Sequence, residues 1–208
     1  MLAIEQSAGR GRQGRGWASG RGRGVWASLV APQDRYALQS LPMRVAVALA
    51  ESLRASTGVD CRLKWPNDLV VHGRKLGGLL IDTTQSGQGE AWAVVGFGVN
   101  LLPPKAEPAA AVATSLAGEA GTGVLLPPLP ACAMELLSAA AGALAKPDQR
   151  WLDRYRSLSV HVPGDRLVCH LAEGEVEGRF VGFDDHGFLR LAVDGGERVI
   201  RSGEVFAW

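Results

Sequence analysis

Hydrophobic positions follow strand-like and then helix-like spacing over roughly the first 158 residues. An apolar run at 25–30 predicts a buried strand, and apolar residues three and four apart over 41–56 predict an amphipathic helix. Further strands are predicted at 62–65, 69–71, 75–81 and 91–99, with a His72-Gly73 hairpin turn, and further helices at 131–145 and 147–158. This order predicts an α+β fold.

The pattern changes after residue 158. Short apolar runs separated by Gly and Asp turns predict five strands in about fifty residues, which is typical of a small β-barrel. The stretch 101–130 is rich in Ala, Pro and Gly, and predicts a loop with one short helix near 114–118. We therefore predict two domains, an α+β body at 1–158 and a β-barrel at 159–208.

Composition narrows the class of protein. The chain has 208 residues, 47% of them hydrophobic, with 22 Lys+Arg against 21 Asp+Glu, a net charge of +1. This balance argues against a protein whose main task is to bind nucleic acid. The three cysteines are far apart, and the sequence contains neither an apolar run of membrane-spanning length nor a signal-peptide core. These features are typical of a cytoplasmic protein.

Positive charge is concentrated near the start, in the segment Gly9-Arg-Gly-Arg-Gln-Gly-Arg-Gly-Trp17. Glycine allows a close backbone approach to a ligand, and each arginine offers a planar fork that grips phosphate or carboxylate. The segment therefore predicts a loop that holds an anionic small molecule. The alternative is an RG-rich tail that binds RNA.

Three more motifs carry polar side chains at strand ends. They are Lys64-Trp-Pro-Asn-Asp68, Arg74-Lys-Leu-Gly-Gly78 and Gly96-Phe-Gly-Val-Asn100. Each has a plain structural alternative: a turn, a solvated hairpin lysine, and a buried strand with a capping amide. Taken singly, none of the three identifies a function.

In their order and spacing, these motifs resemble those of the biotin protein ligases. The resemblance covers residues 5–100 closely and the C-terminal barrel loosely. It implies a mixed β-sheet catalytic domain, similar to class II aminoacyl-tRNA synthetases, followed by an SH3-like β-barrel.

The resemblance implies a two-step reaction. Biotin attacks the α-phosphate of ATP in the presence of Mg²⁺, and a lysine of a biotin carboxyl carrier domain then takes biotin from biotinyl-5′-AMP. No tightly bound prosthetic group, DNA or membrane partner is expected, and a homodimer through the sheet is compatible with the family. The alternatives are a lipoate or octanoate ligase of the same architecture and an RNA-binding module.

The family's site residues carry over by position. The resemblance assigns catalysis to Arg10, Arg12 and Lys75. It assigns biotin binding to Gln6, Arg10, Gly11, Arg12, Lys75, Gly77 and Gly78, ATP or adenylate binding to Arg12, Arg15, Trp17, Asn67, Asp68 and Asn100, and Mg²⁺ to Asp68 and Asn100.

Two further expectations concern the start of the chain and the histidines of the predicted β-barrel. The family has an upstream segment that hydrogen-bonds the ureido group of biotin, and nothing before Gln6 supplies it. We therefore expect a truncated catalytic domain with weak activity, since each unmade buried hydrogen bond costs about 1–3 kcal/mol. His161, His170 and His186 have unrelated spacings and are expected at surface or cap positions.

Overall fold

The computed structural model describes residues 1–34, 37–85, 91–104, 113–121, 125–145 and 149–207. The first sheet contains β1 (Leu2–Ala3), β2 (Gly24–Gln33), β3 (Arg62–Lys64), β4 (Asp68–Val71), β5 (Arg74–Gln85) and β6 (Ala91–Asn100). The helices are α1 (Ala37–Thr57), α2 (Leu116–Glu119), α3 (Leu129–Ala145) and α4 (Trp151–Leu158). The second sheet contains β7 (Arg166–Leu171), β8 (Gly174–Phe183), β9 (Leu189–Val193), β10 (Gly196–Ile200) and β11 (Glu204–Ala207). Residues 147 and 148 of the last predicted helix, and 105–112 and 122–124 of the predicted loop, lie outside the described residues.

The α+β class is confirmed, but the first sheet is antiparallel rather than mixed. Its strand order is β1-β2-β6-β5-β4-β3, and every pair of neighbouring strands is antiparallel. Strands β3 to β6 follow one another as hairpins, which fixes the alternating direction. Helix α1 connects β2 with β3, which run the same way but are separated by three strands, so this crossover creates no parallel pair.

Side-chain alternation gives the first sheet two different faces. On β6, the buried side chains Val95, Phe97 and Val99 face the hydrophobic core formed with α1 and α3. Gly96 and Gly98 alternate with them and have no side chains to cover the other face. Trp17 packs directly against this face at Gly98, where a Cβ would lie 2.6 Å from a ring atom of Trp17.

The C-terminal sheet has the order β10-β9-β8-β7-β11, with antiparallel pairs throughout, so the predicted number of strands is found. It packs against the first domain through Tyr155 of α4, whose ring meets that of Phe183 edge-on at 5.1 Å. Helix α4 ends at Leu158, while the domain boundary after residue 158 stays a prediction. Among the described residues, no helix has the length and apolar character needed to span a membrane.

Candidate active site

A cavity of about 420 Å³ lies between the open face of the first sheet, the C-terminal domain and the segment 9–17, which we call the flap. Eleven of the twelve site residues predicted from the sequence line this cavity: Gln6, Arg10, Gly11, Arg12, Arg15, Trp17, Asn67, Asp68, Lys75, Gly78 and Asn100. Gly77 does not. The structure therefore brings together motifs that are up to 94 residues apart in the sequence.

The flap is a compact hairpin. Trp17 N donates to Gly9 O at 2.9 Å, and Gly11 N donates to Arg15 O at 2.7 Å. A Cβ at Gly9 would lie 2.4 Å from Trp17 O, so this position requires glycine. The turn at Arg12–Gly14 brings the arginine side chains over the cavity.

The C-terminal domain holds the flap through two arginines of the flap, Arg12 and Arg15. Arg12 Nη1 donates to Gly203 O at 3.0 Å and to Asn67 Oδ1 at 3.1 Å. Arg15 makes a bidentate pair with Glu204, at 2.8 and 2.7 Å. Burial lowers the pKa of Arg12, while the negative charges of Asp68 and Glu204 act to raise it. The guanidinium stays charged at neutral pH. Sequence reasoning missed Glu204, because nothing local links it to a flap 189 residues away.

Glu204→Gln should loosen the flap without unfolding the protein. The substitution keeps the shape and removes the charge that pairs with Arg15. Since the Arg15 side chain is 54% exposed, the pair contributes at most about 1 kcal/mol, which corresponds to about a fivefold rise in flap opening. The initial rate of tryptic cleavage within the flap measures this change.

The matched control is Glu173→Gln, which removes an exposed carboxylate paired with Arg198 in the same domain. Cleavage should match that of the unmodified chain. Equal cleavage in the two variants would show that Glu204 does not hold the flap.

Lys75 and Asp68 form an ion pair inside the cavity, with Lys75 Nζ 2.6 Å from Asp68 Oδ1. Asp68 pairs with Gly78 across the β4–β5 hairpin, but a register shift after Leu69 sets Lys75 opposite Val70. Without this bulge Lys75 would pair with Val71 and face the core, so the extra residue turns it onto the cavity face.

The two glycines of the hairpin have different surroundings. A Cβ at Gly78 would lie 3.2 Å from Lys75 Cε and 3.4 Å from Asp68 Oδ1, so Gly78 makes room for the ion pair. A Cβ at Gly77 would lie 2.5 Å from Gly98 O, within the sheet. Gly77 therefore permits strand packing and does not line the cavity, and the role in biotin binding that the resemblance implies stays a prediction.

Three amide side chains form hydrogen bonds between the segments that line the cavity. Asn67 donates from Nδ2 to Leu79 O while its Oδ1 accepts from Arg12. Buried Asn100 donates from Nδ2 to Thr114 O at 3.0 Å, and the Thr114 backbone N donates to Lys75 O. Gln6 Oε1 accepts from Ser19 Oγ, which ties together the two ends of the segment that contains the flap.

The cavity has an excess of positive charge. Its lining includes five cationic side chains and two carboxylates: Arg10, Arg12, Arg15, Lys64 and Lys75 against Asp68 and Glu204. Lys64, which the sequence motif contained but to which no role was assigned, is partly buried, and this burial lowers its pKa. The surplus of three positive charges suits a ligand with several negative charges. The RNA-binding alternative predicts that these arginines lie in an extended tail, whereas here they converge on one cavity.

Trp17 forms an apolar wall with one polar atom. Its ring covers Gly98, meets Trp26 at 6.4 Å and lies 5.4 Å from Lys75 Nζ. Trp17 Nε1 is buried and has no hydrogen-bond partner in the part of the chain that the structure describes. Such a donor beside a cavity is available to a ligand.

The acidic side chains suit a metal ion only in company with a ligand. The described residues include no group of three or more His, Cys, Asp or Glu placed to hold a metal. Asp68 supplies one carboxylate to the cavity. Mg²⁺ commonly takes one or two carboxylates and completes its coordination with substrate phosphates and water, so Asp68 fits an ion that enters with a nucleotide.

The turn that carries Asn67 and Asp68 is anchored from the C-terminal domain. Trp65 N donates to His161 Nε2 at 3.3 Å, and Trp65 Nε1 donates to Gly187 O at 3.1 Å. The surface or cap position expected for His161 is wrong: the residue is 4% exposed. Burial, with a smaller contribution from Lys64, lowers its pKa to about 4.

This histidine should make the stability of the protein depend on pH. Folding favours neutral His161, because the unfolded chain protonates near pH 6.5 and the folded form near 4. The free energy of unfolding should therefore fall by about 2 kcal/mol from pH 7 to pH 5 through this group, and stay flat above pH 7. Urea unfolding at both values measures the loss.

The comparison uses His161→Gln, whose side chain can still accept a hydrogen bond, and His186→Gln, which replaces an exposed histidine. We expect the first variant to lose this part of the pH dependence and the second to keep it. Identical pH profiles for all three proteins would contradict the assignment.

Comparisons with known proteins agree with this architecture. Residues 1–100 match the Biotin/lipoate A/B protein ligase family, and residues 169–208 match the Biotin protein ligase C terminal domain. The chain is 36% identical over 220 residues to the biotin--[acetyl-CoA-carboxylase] ligase of Paracoccus denitrificans, over 99% of this chain and 89% of the relative. The chain is 30% identical to the ligase of the same name from Mycobacterium tuberculosis, over 99% of this chain and 77% of that relative. The biotin protein ligase of Aquifex aeolicus, solved in complex with biotin and ATP, superposes with a TM-score of 0.81 at 25% identity, over 99% of this chain and 86% of that one.

These matches assign the chain to the class of biotin and lipoate ligases. Within that class it belongs to the biotin protein ligase family, since the similarity extends over both the catalytic and the C-terminal domain. The alignment with the Paracoccus denitrificans ligase spans 99% of this chain and 89% of that relative, and the expected truncation of the start stays a prediction.

Proposed function

We propose that this chain activates biotin with ATP to give biotinyl-5′-AMP and then transfers biotin to a lysine of an acceptor protein. The observation that carries this proposal is the convergence of the flap arginines and Lys75 on one cavity with a surplus of positive charge. The named activity of relatives at 30–36% identity over nearly the whole chain supports it.

The cavity matches the chemistry of the first step. As the carboxylate of biotin attacks the α-phosphate, negative charge collects on the carboxylate and the phosphates, and pyrophosphate leaves. Fixed cations around that charge stabilise the transition state more than the separated substrates. We assign this role to Lys75 and Arg12, with Arg15 and Arg10 toward the phosphates. This step requires no nucleophile from the protein.

Mg²⁺ would be held by Asp68 together with the phosphates of ATP, and it would neutralise charge on the pyrophosphate that leaves. Asn100 is a weaker candidate for the ion. Its ligand atom would be the amide oxygen, which carries no charge to balance that of Mg²⁺, while its Nδ2 donates to Thr114 O.

The acceptor is proposed to be a biotin carboxyl carrier domain, in keeping with the names of the relatives. Its lysine amine attacks the acyl carbon of the adenylate, an amide forms, and AMP leaves with the bonding electrons. The flap must exclude water until this amine arrives, because the mixed anhydride otherwise hydrolyses.

Pyrophosphate release from ATP tests the proposal and separates it from a lipoate ligase. The assay is run with biotin, with lipoate, and with no acid. Release with biotin alone is expected. Release with lipoate alone would assign the chain to the other branch of the class, and no release with either acid would contradict the proposal.

A further inference from the structure

A second cavity, of about 220 Å³, lies in the helical layer between α1, α3 and α4. It is on the side of the first sheet away from the candidate active site. Small residues of α3 leave this space open: Ala139, Gly142 and Ala143 line it, and a Cβ at Gly142 would meet nothing within 4 Å. The cavity is about half as large as the candidate active site.

Arg44 of α1 lines this cavity and is 4% exposed. Its Nη2 donates to Ala143 O near the end of α3. Its Nε and Nη1 are buried and have no hydrogen-bond partner within the described ranges, which end at 145 and resume at 149. Capping the end of α3 therefore accounts for one nitrogen of the guanidinium and leaves two unexplained.

Among the described residues, no carboxylate compensates the charge of Arg44. Arg154, which also lines the cavity, is paired with Glu51, so this pair is close to neutral. Burial lowers the pKa of Arg44, but the guanidinium stays protonated at neutral pH. A buried charge with unmet donors is unfavourable unless a counter-charge accompanies it.

We propose that Arg44 and this cavity form a binding site for a small oxyanion, either phosphate or a short carboxylate. An oxyanion accepts hydrogen bonds along the flat edge of a guanidinium, which matches the unmet donors. The cavity walls are otherwise made mainly of small apolar side chains, and the cavity is about half as large as the one proposed to hold the nucleotide. The site is separate from the ligase reaction, and its ligand would connect α1 with the end of α3.

Thermal unfolding across phosphate and acetate titrations, with ionic strength held constant by NaCl, tests this site. The measured quantity is the difference in Tm between the unmodified chain and Arg44→Met. Phosphate bound by the flap arginines shifts both proteins alike and cancels in this difference. We expect the difference to grow by about 3 °C in favour of the unmodified chain as the oxyanion saturates its site.

The two titrations distinguish the ligands, because growth with phosphate alone indicates a tetrahedral anion and growth with acetate indicates a carboxylate site. Arg198→Met, which removes an exposed positive charge in the C-terminal domain, controls for net charge and should give a constant difference. A constant difference for Arg44→Met in both titrations would overturn the proposal. If Arg44→Met does not fold, Arg44→Lys takes its place: it should lose at least half of the anion-dependent rise, and an undiminished rise would overturn the proposal equally.

Discussion

Replacing Lys75 with methionine should lower the rate of pyrophosphate release by about a thousandfold, the upper range for loss of one charge-stabilising donor. The bulge in the β4–β5 hairpin directs Lys75 Nζ into the cavity, 2.6 Å from Asp68 and 5.4 Å from the Trp17 ring. When a carboxylate and a phosphate meet there, the ammonium group compensates the charge that they share. Methionine has similar length but no charge, so it removes this effect with little change in packing.

Arg74→Met is the matched control for this variant. Arg74 precedes Lys75 on the same strand, but its exposed side chain pairs with Glu119 and does not line the cavity. Pyrophosphate release should stay within about threefold of the unmodified chain, because Arg74 is half exposed and its pair with Glu119 lies outside the cavity. Activity of Lys75→Met within the same range would remove Lys75 from the mechanism.

The second large effect is expected from Arg12→Gly. Arg12 links the flap to Asn67 and to Gly203 O, and its guanidinium is directed toward the cavity. Charge-assisted hydrogen bonds from this group to an adenylate contribute about 1.5–3 kcal/mol each, so their loss should shorten the lifetime of the bound intermediate by about a hundredfold. The intermediate would then escape and acylate exposed amines of unrelated proteins.

Biotin labelling of a non-substrate protein with many exposed lysines measures this escape. Arg21→Gly is the control, because Arg21 is exposed, lies close in sequence and does not line the cavity. We expect strong labelling by Arg12→Gly and background labelling by Arg21→Gly. If Arg12→Gly retained its adenylate as long as the unmodified chain, the flap would not be what protects the intermediate.

Eleven of the twelve residues that the motifs singled out line the cavity, because each motif contains its chemistry within a few residues, while their roles in binding stay predictions. Glycine and arginine in alternation predicted an anion-binding loop, and the structure gives a hairpin with Arg12 and Arg15 over the cavity. The resemblance assigns the same role to Gly77 and Gly78, although alternation along a strand sends neighbouring residues to opposite faces. That rule alone separates Gly78, beside the ion pair, from Gly77, within the sheet.

The long-range contacts could not be predicted in the same way. Glu204 and Gly203 meet the flap only because the C-terminal sheet packs beside it, and no pattern within β11 indicates that partner. His161 has no neighbouring motif that would indicate burial, yet it accepts from Trp65 N at the base of the site. The first sheet is antiparallel because of the order in which its strands lie side by side. The lengths and types of the connections do not determine that order.

A crystal structure of this chain with biotin and ATP tests most directly the claim that one cationic cavity under the flap holds the activated acid. We expect biotinyl-5′-AMP in the 420 Å³ cavity, with the acyl phosphate within about 3.5 Å of both the Arg12 guanidinium and Lys75 Nζ. An adenylate bound elsewhere, or bound in this cavity with neither side chain in contact with it, would contradict the account.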